Sequence, residues 1–267
     1  MTAACRRSAS TPASTAADAA PAPSPCRAGG ADASSDHRAA GRLRIGALTP
    51  LSTLDYPGEL AAVLWCQGCP WRCGYCHNGH LLDPAGPGLL TWDAVLAFLV
   101  RRRGLLDAVV FSGGEPTAQT ALAAALAAVR ALGFKVGLHS AGPYPDRLAA
   151  LIPLLDWVGL DIKALPEDYP LVTGVPGSGA GAWRSLDLLR AAGIELEVRT
   201  TPLPGLDDPA YLKRLMQRLA AVGVRRYVLQ QCRPVDLLDP SLRARIRPLP
   251  ARPAGASAFD QFELRTG

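Results

Sequence analysis

Between residues 61 and 230, short apolar runs rich in β-branched residues alternate with stretches of helical periodicity, and this alternation constrains the fold more than any other feature. The runs at 61–66, 108–111, 135–139, 157–162, 194–200 and 226–230 read as buried strands. Helices are expected at 91–103, 119–132, 146–152, 182–192 and 209–222. Gly133, Gly193 and Gly223 stand just past three of them, where glycine takes the left-handed conformation at little cost. Strand alternating with helix implies a parallel sheet with right-handed crossovers. Six such units fall short of the eight that close a full barrel. The expected fold is therefore α/β, a partial (β/α)6 barrel in a single domain over 43–232.

A parallel sheet also says where the chemistry belongs, because ligands sit at the carboxyl ends of its strands. The chemistry-bearing residues follow the strands in that way. A cysteine-rich loop follows the first strand, and Ser112, Gly113, Gly114 and Glu115 end the second. His139 to Gly142 end the third, Asp161 and Lys163 the fourth, Arg199 and Thr200 the fifth.

The cysteine loop, 66–77, reads CQGCPWRCGYCH. Cys69, Cys73 and Cys76 have the spacing C-x3-C-x2-C, and a 4Fe-4S cluster normally takes four thiolates. Three ligands leave one iron open as a reaction site. Structural zinc and a disulfide staple are the alternatives. Zinc usually takes two C-x2-C pairs separated by a longer loop, and nothing marks an oxidising compartment for disulfides. Cys66 is read as a small buried residue at a strand end and stays outside the ligand set.

This cysteine spacing, followed by Gly113-Gly114-Glu115, resembles the radical S-adenosylmethionine (SAM) superfamily. The resemblance implies that S-adenosylmethionine chelates the open iron, and that one electron from the cluster cleaves it to methionine and a 5′-deoxyadenosyl radical. It further implies that Gly113, Gly114 and Glu115 hold the methionine amino group and that Tyr75 lies near the adenine; simple packing beside the cluster explains Tyr75 as well. On this reading Gly114→Val weakens cofactor binding while leaving the cysteine loop intact.

The run 51–78, LSTLDYPGELAAVLWCQGCPWRCGYCHN, narrows the likeness to glycyl-radical enzyme activases, and in particular to activating proteins of anaerobic ribonucleoside-triphosphate reductase. Asp161-Ile162-Lys163 matches the DxK motif of pyruvate formate-lyase activating enzymes, and Arg199 with Pro204, Gly205 and Asp207 resembles their R…PG…D stretch. The likeness implies that Lys163 meets the carboxylate of S-adenosylmethionine with Arg199 nearby. It also implies a glycyl-radical enzyme as partner and a flavodoxin- or ferredoxin-type electron donor. One departure concerns a monovalent cation. Where pyruvate formate-lyase activases have Asp-Thr before Asn-Gly, this chain has His139, Ser140, Ala141 and Gly142. Ser140 and Asp161 remain as oxygen ligands, but the charge lost at His139 puts the cation in doubt. Two rival functions are a radical SAM enzyme acting on a small molecule, of the 7-carboxy-7-deazaguanine synthase type, and a non-enzymatic metal-binding interaction module.

Composition bounds the rest. The 267 residues are 49% apolar and 19% charged, which is globular, with no run of eighteen apolar residues to span a membrane. Residues 1–42, rich in Ala, Ser, Pro and Arg without periodicity, are expected to be a disordered extension, and 233–267 an Arg/Pro-rich tail. The net charge of +5 is concentrated there: five Arg against three Asp in 1–42, and six Arg against four acids in 233–267. A nucleic-acid binder would carry its basic charge on the folded part, so no nucleic-acid partner is expected. Seven cysteines without a secretory signal point to a reducing cytoplasm.

Overall fold

The computed structural model describes residues 33–88 and 90–266. One eight-stranded sheet organises them, with strands in sequential order from β1 to β8. The six strands expected from sequence are β2 (Ala61–Cys66), β3 (Ala108–Gly113), β4 (Lys135–Ser140), β5 (Trp157–Asp161), β6 (Glu195–Thr200) and β7 (Arg226–Gln230), and neighbours among them pair in parallel. The α/β class and the parallel order are as expected.

Two strands lie outside that expectation. β1 (Ile45–Ser52) pairs antiparallel with β2, and its register breaks twice. It tolerates Pro50 because it is an edge strand. β8 (Gln261–Arg265) adds to β7 in parallel at the other edge, so the segment after residue 232 contributes a strand to the sheet.

Among the described residues seven helices flank the strands: α1 (Ala33–Ala40), α2 (Trp92–Arg102), α3 (Leu122–Ala131), α4 (Pro145–Leu151), α5 (Tyr169–Thr173), α6 (Ser178–Ala192) and α7 (Pro209–Ala221). The expected disordered extension, 1–42, falls outside the described residues up to residue 32. Its remainder is corrected by α1, which packs on α3 and leads into the buried Ala40 and Leu43. Caps fix the helix ends. Asp208 accepts from the backbone N–H of Ala210 and Tyr211, both at 3.0 Å, with Pro209 in the first turn of α7, and Gly193 ends α6 at φ 67°. No helix among the described residues is long and apolar enough to cross a membrane.

Alternate strand residues face opposite sides of the sheet. Leu64, Val109, Phe111, Val136, Leu138, Val158 and Leu160 pack with the helices in the larger core. The other face carries small residues, Ala61, Val63, Ala108 and Val110, gathered around Trp157. The connection between β1 and β2 fills the space they leave. Tyr56 stacks on Trp157 with ring centroids 5.0 Å apart, and Gly137 makes room for it. Tyr56 of Asp55-Tyr56-Pro57-Gly58 thus covers this face of the sheet, a structural use for the motif.

Candidate active site

The cysteine loop leaves β2 at Cys66 and is held from three sides. Its base is bonded to the turn after it: Gly68 N–H donates to Leu81 O at 2.7 Å and Cys69 N–H to Leu82 O at 3.1 Å. The buried Gln67 amide donates to Asp83 O at 2.7 Å. On one flank Arg72 N–H donates to Thr173 O at 3.0 Å, and Trp71 meets Tyr169 edge to face at 5.9 Å. On the other flank the C-terminal segment donates from Leu238 N–H to Cys76 O at 3.1 Å and from Asp239 N–H to Gly74 O at 2.8 Å. That last contact was not legible in sequence, where 233–267 had no assigned role.

Cys69, Cys73 and Cys76 line one cavity of about 230 Å³ at the carboxyl ends of the strands; Cys66 is fully buried and does not. All four, with Cys232, are free thiols, so no disulfide staples the described loop. Burial pushes the Cys69 thiol up to about 12, against a hydrogen bond from the Trp71 backbone and with help from Glu115. Metal binding at this loop displaces protons as it proceeds.

Gly113 and Gly114 form the cavity wall opposite. Gly113 has φ +112°, and a Cβ there would overlap the backbone of Cys66; a Cβ on Gly114 would overlap Gly68 O. The two glycines therefore let β3 meet the base of the cysteine loop. Gly114 N–H donates to Cys66 O and Glu115 N–H to Gly68 O, both at 2.8 Å. This corrects the expectation that Gly114→Val spares the loop.

Glu115 itself is buried and turned from the cavity lining. Its carboxylate accepts from Thr117 N–H at 3.1 Å, Thr117 Oγ1 at 2.5 Å, Ser140 Oγ at 2.8 Å and Ala141 N–H at 2.9 Å. Burial raises its pKa and these donors pull it back. Glu115 and Ser140 form a latch between the ends of β3 and β4. Ser140 lines the cavity, yet its hydroxyl is committed, donating to Glu115 and accepting from Gly142 N–H at 3.0 Å.

Lys163 and Asp161 line the cavity beyond β5. Lys163 Nζ lies 3.1 Å from Asp161 Oδ2 and 5.6 Å from the centre of the Tyr75 ring. Burial works against its charge, but Tyr75, Asp161 and Cys73 together hold it protonated. Tyr75 is buried on the cavity wall, and its Oη has no hydrogen-bond partner.

Arg199 borders the same cavity from β6, opposite Asp161 in register. Its Nη2 is likewise buried without a partner. His139 Nε2 lies 3.1 Å from Arg199 Nη1, and its N–H donates to Asp55 O at 2.8 Å, while Nδ1 meets Ser112 Oγ at 3.2 Å. A neutral ring so engaged, beside a guanidinium, is a poor place for a second cation. Burial first, then Arg199, holds the imidazole well below its ordinary range, against the bond to Asp55. The unfolded chain takes up this proton near its ordinary pKa and the folded chain does not. Stability is thus full above about pH 6.5 and falls as pH drops below it, by up to about 1.4 kcal/mol per pH unit. Urea denaturation between pH 7 and 5.5 is expected to show this loss and His139→Gln to flatten it; an unchanged slope in the variant would assign the loss to other groups.

The strand-end rule missed Thr201 and Gln230, which line the cavity. Thr200 instead turns away and donates to Ile162 O at 2.6 Å. Applying the rule to the sixth strand as well would have found Gln230.

The donor set fits a cluster with an anionic ligand beside it, three thiols facing a cavity that Lys163 and Arg199 also line. Among the described residues no three His, Cys, Asp or Glu side chains close on one point as ligands of a single ion. The three cysteines share one cavity, which suits a cluster whose irons each take one thiolate better than a single tetrahedral zinc. Tyr75 Oη and Arg199 Nη2 supply unsatisfied donors on the same cavity.

Comparison with known proteins agrees. The family model described as the radical SAM superfamily matches residues 63–228. A protein of Methanocaldococcus jannaschii named as a candidate glycyl-radical enzyme activating enzyme is 28% identical over 204 residues, covering 73% of this chain and 82% of that one. The pyruvate formate-lyase-activating enzyme of Clostridium pasteurianum is 31% identical over 174 residues, covering 62% and 71%. Among solved structures, Streptococcus suis SuiB bound to S-adenosylmethionine aligns with a TM-score of 0.53 at 14% identity, over 68% of this chain and 41% of SuiB. The chain spans less than half of that structure, and the likeness shows the fold.

Proposed function

Because the chain belongs to the radical SAM superfamily, and within it to the glycyl-radical enzyme activating enzymes, we propose that it takes a hydrogen atom from the α-carbon of a glycine in a partner enzyme, and that this partner is an anaerobic ribonucleoside-triphosphate reductase. Its cofactors are a 4Fe-4S cluster and S-adenosylmethionine. When bound, they supply one electron and a 5′-deoxyadenosyl radical. The protein's part is to hold and orient them and to exclude water.

Cys69, Cys73 and Cys76 would hold the cluster. Gly113 and Gly114 keep the loop and the β3 end in contact, with Glu115 and Ser140 latching that end to β4. Lys163, kept charged, and the free edge of Arg199 would meet the cofactor carboxylate, with Asp161 orienting Lys163. Tyr75 closes the wall beside Lys163. Lys163→Ala is expected to lower affinity for S-adenosylmethionine about ten- to a hundredfold by removing a charge-assisted contact, measured by equilibrium binding to the reconstituted protein. Unchanged affinity would take Lys163 out of the pocket.

The observation that favours a protein substrate is the likeness to enzymes named for activating other enzymes, the glycyl-radical enzyme activating enzyme and the pyruvate formate-lyase-activating enzyme. The likeness of the run around Asp55 to Gly58 supports the choice of reductase. A separate electron donor of flavodoxin or ferredoxin type completes the reaction. Mixing the reconstituted protein anaerobically with S-adenosylmethionine, a reductant and the reductase should give the glycyl doublet in electron paramagnetic resonance. Cleavage of S-adenosylmethionine without a doublet on any partner would turn the reading toward a small-molecule substrate.

A further inference from the structure

Inside the sheet, one carboxylate is surrounded by three guanidinium groups. Glu197 is fully buried on β6, two residues before Arg199 and on the same face. Its Oε1 accepts from Arg199 Nε at 2.7 Å and Arg265 Nη1 at 3.2 Å. Its Oε2 is 2.9 Å from Arg226 Nε and accepts from Arg265 Nη2 at 3.4 Å. The three arginines come from β6, β7 and β8, and Glu263 Oε1 offsets Arg265 at 2.7 Å.

The consequence falls on Arg199. A guanidinium presents five N–H groups in one fixed plane, so fixing Nε fixes the rest. The plane lies over Trp157 at 5.2 Å from the ring centre and against Gly159, where a Cβ would stand 2.8 Å from Arg199 Cζ. Nη1 faces His139 Nε2, whose N–H donates to Asp55 O and which so cannot accept. Nη2 is buried and unpartnered on a residue that lines the cavity. A buried guanidinium nitrogen without a protein partner is free to meet a ligand oxygen.

We propose that Glu197 is a positioning residue for ligand binding: gripped by Arg226 and Arg265, it holds Arg199 by Nε so that the far edge of the guanidinium meets the carboxylate of the cofactor. The edge strand β8, outside the cavity, thereby takes part in ligand binding. This rests on the reading of the cavity as the S-adenosylmethionine site, and the test separates the two.

The test measures equilibrium binding of S-adenosylhomocysteine, which carries the amino-acid carboxylate, and of methylthioadenosine, which lacks it, to the anaerobically reconstituted protein. Wild-type binding of S-adenosylhomocysteine tests the cavity reading by itself; its absence would end both. Glu197→Gln is expected to weaken S-adenosylhomocysteine about tenfold, the scale of a charge-assisted contact, and to leave methylthioadenosine unchanged. Glu197→Asp should restore part of the loss. Should Glu197→Gln fail to fold, Arg265→Gln carries the same test, with the same ligand selectivity at smaller size. Equal loss for both ligands, or no loss for either, would overturn the positioning role while leaving the cavity reading in place.

Discussion

Serine in place of Cys69, Cys73 or Cys76 is expected to abolish the 4Fe-4S spectrum and the reductive cleavage of S-adenosylmethionine together, while Cys66→Ser keeps both. The three thiols share the cavity and the fourth does not, being packed at the end of β2 beside Ile45 and Gly113. A hydroxyl is a harder ligand that holds iron poorly. Among the described residues no spare cysteine borders the cavity to replace a lost one, since Cys232 is buried and does not line it. Iron content, visible absorption and chromatography of 5′-deoxyadenosine on each variant check this. Loss of the cluster in Cys66→Ser with retention in Cys69→Ser would reverse the assignment.

The second large effect is expected at the paired glycines. Gly114→Val should lose cluster incorporation as well as cofactor affinity, because its side chain would be driven into Gly68 O at the base of the cysteine loop. The two backbone bonds that tie β3 to that base, from Gly114 and Glu115, would be strained or broken. A cost of about 3 kcal/mol, the upper end of ordinary overpacking, is expected in urea denaturation. Gly113→Ala should behave similarly, its φ of +112° being poorly accessible to alanine. Full iron content with weakened cofactor binding alone would show that the loop tolerates the side chain and that the glycines serve the ligand only.

Sequence revealed what is local. The central strands announce themselves by β-branched apolar runs, and the cysteine spacing survives any detail of packing. β1 was hidden because Gly46 and Pro50 break its pattern, and it is held by pairing with β2. β8, Gln261 to Arg265, is short and alternates polar with apolar residues, so only its parallel partner makes it a strand. The same effect hid Glu197. In β6, Glu195, Glu197 and Arg199 alternate with Leu196 and Val198, and Glu197 carries no motif of its own. Its partners Arg226 and Arg265 reach it only because β6, β7 and β8 lie side by side. Glu115 and Ser140 stand out in sequence as polar residues at strand ends, but their mutual bond depends on β3 and β4 ending side by side. Their joint role as a latch is a tertiary fact.

The central claim, hydrogen abstraction from a partner's glycine, is tested most directly by isotope transfer. Partner enzyme deuterated at the glycine α-carbon is incubated anaerobically with the reconstituted protein, S-adenosylmethionine and a reductant, and the 5′-deoxyadenosine is examined by mass spectrometry. Deuterium in the nucleoside, in step with the rise of the glycyl signal, is the expected result. Full turnover with no deuterium in 5′-deoxyadenosine, or deuterium arriving only from a labelled small molecule, would contradict it.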